Sequence, residues 1–286
     1  MKERINTQYV ASEIKRYRES AAIRSAAERD GRINHIENSP LSSFEQSFVG
    51  VIPEGERLGA YVERVLADRA GRAIGLELGG VGSRLFAGFT PGFFERTAGV
   101  NLTDYRPIFS SEPKDTTMHR DRQKIMDGLS RHKTDAIIAD ISRNHRVIEG
   151  DMLATATSQQ IEEEFLRGDK VNFMIRRMAA GNFDLPTEPF FLAKNANRYY
   201  QMMGENSVLF DELPTGFWNL SEAWSELVNT HYSGRLIAYV ADNKLLLHKG
   251  VGAPKKLPVF SVSKVREIVA SQGKFSTLRP LFTTPA

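Results

Sequence analysis

The chain contains no cysteine. That absence removes disulfides, thiolate metal sites and cysteine nucleophiles together, and it suits a reducing compartment. Long apolar runs are also missing: none approaches the roughly 20 residues that cross a bilayer. The N-terminus, MKERINTQY, has no apolar core of the kind a secretory signal needs. A cytoplasmic protein without a membrane partner is expected. Nor does charge of one sign accumulate. The 38 basic and 35 acidic residues leave a net charge of +3, so a nucleic-acid partner has no support from charge. Lys2, Arg4, Lys15, Arg16, Arg18 and Arg24 are interrupted by Glu3, Glu13 and Glu19 and read as a solvated helix face. No two of the six histidines stand at a metal-ligand spacing, so no metal is expected. There is no Gly-x-Ser-x-Gly elbow and no P-loop.

What is present is an ordinary globular composition. The 286 residues are 41% hydrophobic and 26% charged, enough for one large domain or two small ones. Residues 1–54 read as an N-terminal extension. Tyr9–Ala27 has helical spacing, Asn34–Ser43 is loop-like, and Phe44, Phe48 and Val51 form an apolar patch. The main domain is expected over residues 55–286.

In that domain helices and strands alternate. Glu56–Ala70 is predicted as an amphipathic helix ended by Gly71, and Ala73–Leu78 as a strand feeding a tight glycine turn. Ser83 is placed to cap the next helix, and Thr90-Pro91 to restart it. Further strands are predicted over Val100–Thr103, Arg146–Glu149, Lys170–Ile175 and Ser207–Glu212. Helices are predicted within Arg120–Ile141 and over Ser158–Leu166, Pro189–Met203, Ser221–His231 and Ser263–Ser271. Arg235–Ala241 and Lys244–His248, separated only by Asp242-Asn243, predict an antiparallel hairpin. The fold class is therefore α/β: a doubly wound, Rossmann-like sheet, mostly parallel, with a C-terminal antiparallel hairpin.

Ligands of such sheets bind at the carboxyl ends of the strands, and three predicted strand ends carry the residue types that bind a nucleoside. The first reads Glu77-Leu78-Gly79-Gly80-Val81-Gly82-Ser83. Glycines allow a sharp turn and close approach of a ligand, and Glu77 can accept from a hydroxyl or an ammonium group. The second carries Asp104, placed to accept two ribose hydroxyls. The third carries Asp151, followed by Met152, which suit an adenine amino group and ring. Each aspartate can equally be a helix cap. Arg176 and Arg177 follow the fourth strand; one of them faces an acidic substrate or pairs with a neighbouring helix. Tyr199, Tyr200, Met202 and Met203 read as core.

This layout resembles the class I S-adenosylmethionine-dependent methyltransferase family, over roughly Glu56 to Lys249. The resemblance implies that Glu77, Gly79, Gly80 and Gly82 surround the methionine part of S-adenosylmethionine. It further implies that Asp104 holds the ribose and that Asp151 with Met152 holds the adenine, with Arg177 toward the acceptor. The family spaces its motif acid-x-Gly-x-Gly-x-Gly, whereas here Val81 and Ser83 occupy the second and third glycine places. The Asn/Asp-Pro-Pro-aromatic motif of amino-methylating DNA enzymes is replaced by Arg176-Arg177-Met178-Ala179, so that activity is not expected. No side chain identifies itself as catalytic, and the methyl acceptor and oligomeric state stay open. Two other readings fit the same strand ends: an NAD-dependent oxidoreductase, and a non-catalytic Rossmann-like binding protein.

Overall fold

A computed structural model describes residues 39–101, 144–150, 152, 154–176, 197–212, 218–241 and 244–257. Strand β1 (Ala73–Leu78) is buried along its whole length, the charged Glu77 included, as its mainly apolar sequence requires. It is an interior strand of a seven-stranded sheet with β2 (Phe94–Asn101), β3 (His145–Glu149), β4 (Val171–Arg176), β5 (Met203–Glu212), β6 (Leu236–Ala241) and β7 (Lys244–Lys249). The spatial order is β3-β2-β1-β4-β5-β7-β6. Strands β1 to β5 pair in parallel, and β7 is antiparallel to both β5 and β6. The sheet is thus a doubly wound, Rossmann-like one, mostly parallel, with a C-terminal antiparallel hairpin. Ala241 faces Lys244 across that hairpin, the register a two-residue turn imposes. Strand β7 lies between β5 and β6, although it follows both in sequence.

Two apolar layers cover the sheet. One joins Ile74, Leu76 and Leu78 of β1 to Ile161, Phe165, Tyr199, Tyr200, Met202 and Met203; the expected core role of the Tyr-Tyr and Met-Met pairs is met. The buried Lys249 closes this layer's edge. Its ammonium donates to the carbonyls of Tyr200 (3.1 Å) and Met203 (2.7 Å), at the end of the helix that stops at residue 202. The opposite layer is aromatic: Phe86, Phe89, Phe94 and Phe173 meet mostly edge to face, with ring centroids 5.1–6.3 Å apart. Such pairs add about 0.5–1.5 kcal/mol each beyond the area they bury. Phe44, Phe48 and Val51 join this same layer, which runs without a break from residue 41 into the sheet.

Several elements differ from their sequence expectation. Helix α1 (Leu41–Ser47) starts inside the stretch read as a loop, because Leu41, Phe44 and Phe48 recur on one face and are all buried. Helix α2 is shorter than expected, Leu58–Val65, and passes into a 3₁₀ turn at Ala67–Arg69. Ser83 does not cap helix α3 (Ser83–Phe86): Gly82 holds the N-cap position and no side chain bonds there. Thr90-Pro91 starts no helix. The Thr90 N–H and hydroxyl both donate to Glu63, and β2 begins four residues later at Phe94. Strand β2 starts earlier than expected, at Phe94, and is described as far as Asn101; the rest of the expected strand lies outside the described residues. Helix α4 (Thr155–Gln160) continues as a π-helix over Ile161–Leu166. Helix α5 (Trp218–Tyr232) packs on β6. The helices expected within 9–27, 120–141 and 263–271 lie outside the described residues.

Candidate functional site

The strand order reverses at β1, whose two neighbours are β2 and β4. Open α/β sheets bind ligands at this point, and the glycine turn leaves β1 here. Gly79 continues the ladder, its N–H donating to the Val100 carbonyl at 2.9 Å. The chain then reverses. Gly79 and Gly82 have φ of +89° and +83°, conformations that cost other residues about 1–2 kcal/mol, so glycine is required at both.

The turn rests directly on β2. A Cβ on Gly99 would lie 1.9 Å from the Val81 carbonyl oxygen, and one on Gly82 would lie 3.3 Å from Glu77 Oε2 and 3.1 Å from His145 Cε1. Glu77, Gly82, Gly99 and His145 therefore converge. Glu77 is almost wholly buried at 4% exposure. His145, the first residue of β3, faces Thr97 in register. Its Nδ1 lies 2.8 Å from Thr97 Oγ1 and its Nε2 lies 2.8 Å from the Val81 carbonyl oxygen. Burial pulls its pKa down to about 4, against the raising effect of the Val81 bond, so the ring is neutral near pH 7. A carbonyl only accepts, so Nε2 carries the proton and Nδ1 accepts from the Thr97 hydroxyl.

The last described residue of β2 is Asn101, buried at 6% exposure. Asp104, the expected strand-end carboxylate, lies outside the described residues. The Asn101 carbonyl accepts from the Gly150 N–H at 2.8 Å, which brings the ends of β2 and β3 together. Met152 is partly buried against the layer containing Tyr199, and its carbonyl accepts from the Tyr199 hydroxyl. Asp151 and Arg177 also lie outside the described residues. Arg176 pairs with Asp211 of the neighbouring strand β5. Among the described residues no group of three His, Asp or Glu side chains is placed to hold a metal. No described helix is long and apolar enough to cross a membrane.

Of the expected site residues, Glu77, Gly79, Gly80 and Gly82 share the turn, and Met152 stands beyond β3. Sequence reasoning missed Gly99, Asn101, Thr97 and His145. Gly99 carried a signal, since a lone glycine inside a strand often marks close approach of another backbone. His145 carried none, since no spacing in the sequence marks it. Its role depends on the pairing of β2 with β3.

No protein-family model matches the chain, and no curated protein matches it. Solved structures similar to it include MycE methyltransferase from the mycinamycin biosynthetic pathway, in complex with Mg and SAH (12% identity, TM-score 0.40, covering 82% of this chain and 56% of that one). Others are N-methyltransferase NodS from Bradyrhizobium japonicum WM9 (11%, 0.32, 65% and 89%) and an O-methyltransferase from Bacillus cereus in complex with SAH (12%, 0.38, 73% and 87%). The chain thus spans 56% of the length of MycE.

Proposed function

We propose that the chain is a class I-type S-adenosylmethionine-dependent methyltransferase, cytoplasmic, acting on an acceptor whose class stays open. One observation carries the reading. A glycine turn with two positive-φ positions leaves β1 at the switch point of a sheet in which antiparallel β7 lies between β5 and β6. The terminal hairpin and the turn are the features by which the sequence resembles that family.

The residues present fit the cofactor in most respects. Gly79, Gly80 and Gly82 form the turn at the methionine end, and the buried Glu77 carboxylate lies beneath it. Asp151 with Met152 takes the adenine. At the ribose, Asp104 supplies the carboxylate, three residues after the buried Asn101. When bound, the cofactor supplies a methyl group on a sulfonium, already a strong electrophile. The protein's work is to hold and align the reactants and to exclude water. Arg177 is assigned to the acceptor side, because the charge of Arg176 is engaged by Asp211. Residues 1–54 act as an extension to the domain of residues 55–286, tied down by Phe44 and Phe48, with the part before residue 39 available as a lid.

The NAD-dependent alternative is disfavoured by the off-pattern glycine spacing and by the terminal antiparallel hairpin. Parallel calorimetric titrations with S-adenosylmethionine, S-adenosylhomocysteine and NAD test the proposal. Binding of the two adenosyl ligands without NAD is expected. Binding of NAD alone would replace the reading with an oxidoreductase, and binding of none would leave a non-catalytic protein.

A further inference from the structure

We propose that His145 is a positioning residue for the glycine turn: it fixes the Val81–Gly82 peptide plane, and so the shape in which the turn meets its ligand. The proposal rests on the reading of that turn as the cofactor site. It goes beyond that reading in assigning a role to a residue 64 positions away in sequence.

Three observations carry it. First, the Val81 carbonyl is held from two sides. It is set over the bare Gly99, where a Cβ would come within 1.9 Å of its oxygen, and it accepts from His145 Nε2 at 2.8 Å. Second, the imidazole is itself held. Thr97 Oγ1 lies 2.8 Å from Nδ1, and Thr97 stands opposite His145 in the β2–β3 register. With Thr97 donating to Nδ1, the proton must sit on Nε2, where Val81 needs it. Phe86 flanks the ring, with centroids 6.0 Å apart, which limits its rotation. Third, the peptide that is held is the one most free to turn. Gly82 sits at φ +83°, and a glycine lets the preceding peptide plane swing at little steric cost. The described peptides are all trans, so the Gly82 N–H points opposite to the Val81 C=O, away from the His145 ring. The histidine thus sets the direction of an amide donor in the turn without touching the ligand. Val81, standing where the family has glycine, is the residue whose carbonyl it grips.

The test compares the wild-type protein with His145→Ala, His145→Gln and Thr97→Val. The readouts are S-adenosylhomocysteine affinity by calorimetry, backbone amide exchange of the 79–83 segment, and thermal melting. His145→Ala is expected to weaken binding about ten- to a hundredfold and to speed exchange in the turn more than elsewhere. Thr97→Val should do the same to a lesser degree. Glutamine keeps a donor for the Val81 carbonyl, so His145→Gln should bind within a few-fold of wild type. If His145→Ala lowers the melting temperature but leaves affinity and turn exchange unchanged, the positioning role is overturned. Should His145→Ala not fold, Thr97→Val and His145→Gln decide by the same readouts. A wild type that binds no adenosyl ligand, with turn exchange still raised in the variants, would overturn the methyltransferase reading and keep the role of His145. A wild type that binds, with variants altering neither affinity nor turn exchange, would do the reverse.

Discussion

Arg176 and Asp211 meet at the carboxyl ends of β4 and β5 in two parallel hydrogen bonds, Nε to Oδ1 at 2.6 Å and Nη2 to Oδ2 at 2.5 Å. Both side chains are buried, and the two residues are register partners. Removing one member leaves the other charge buried without its counter-ion, which costs about 3–5 kcal/mol. Asp211→Asn and Arg176→Met are each expected to lose stability on that scale in urea denaturation. The Arg176→Met/Asp211→Leu double variant should lose less than either single change, because no charge is then stranded. A double variant as unstable as the sum of the two would show that the pair does not act as a unit.

The contact between the turn and β2 predicts a second asymmetry. Alanine at Gly99 would place its Cβ 1.9 Å from a backbone oxygen, and no rotamer can relieve that overlap. Gly99→Ala should therefore displace the turn and abolish adenosyl-ligand binding. Gly92 serves as the control: its φ is +78° but nothing lies within 4 Å of its Cβ position. Gly92→Ala should cost about 1–2 kcal/mol and leave ligand affinity unchanged. Calorimetry and thermal melts on the two variants separate the effects.

His145 also predicts a pH dependence. Its folded pKa is about 4, below its ordinary value of 6.5. Between those values the unfolded chain takes up a proton that the folded protein refuses. The stability contribution is therefore complete above pH 6.5 and is lost as the pH falls toward 4. Burial lowers the pKa of His248 in the same direction. Replacing His145 with glutamine should flatten, but not remove, the acid limb of stability against pH, measured by chemical denaturation at successive pH values.

Asn229 on α5 predicts an effect at the sheet's edge. Its amide donates to the Ala238 carbonyl and accepts from the Ala238 N–H, both at 2.8 Å, and Ser225 Oγ donates to the same carbonyl at 2.6 Å. Strand β6 is an edge of the sheet, so the asparagine occupies hydrogen-bonding positions that another strand would otherwise use. Asn229→Ala should cost about 1–3 kcal/mol and raise self-association, measured by light scattering. Unchanged scattering together with lost stability would restrict the side chain to an internal role.

Legibility from sequence followed how locally each feature is determined. Ala73–Leu78 was plain because its apolar run is buried on both faces. The hairpin was plain because two turn residues leave little choice of register. Strand β2 was obscured by Glu95, Arg96 and Thr97. Glu95 stays exposed there, and the half-buried Arg96 is held by distant groups: it lies over the Phe165 ring and donates to the Leu166 carbonyl and to Asp169. In the candidate site the glycines were readable, since positive φ singles them out. Asn101 was not, because its burial depends on the pairing of β2 with β3. Nor were Thr97 and His145, which meet only through the pairing of two strands.

The place of β7 has a consequence for synthesis from the N-terminus. Until Lys244–Lys249 leaves the ribosome, β6 has no neighbour in the sheet, and the hydrogen-bonding flank of β5 that β7 will occupy is open. That flank belongs to Val208-Leu209-Phe210, among the most buried residues of the protein. A nascent chain paused before Lys244 would expose an apolar strand edge able to pair with another copy. The flank of β5 is covered and β6 is joined to the sheet only once residues 244–249 are available to pair with both.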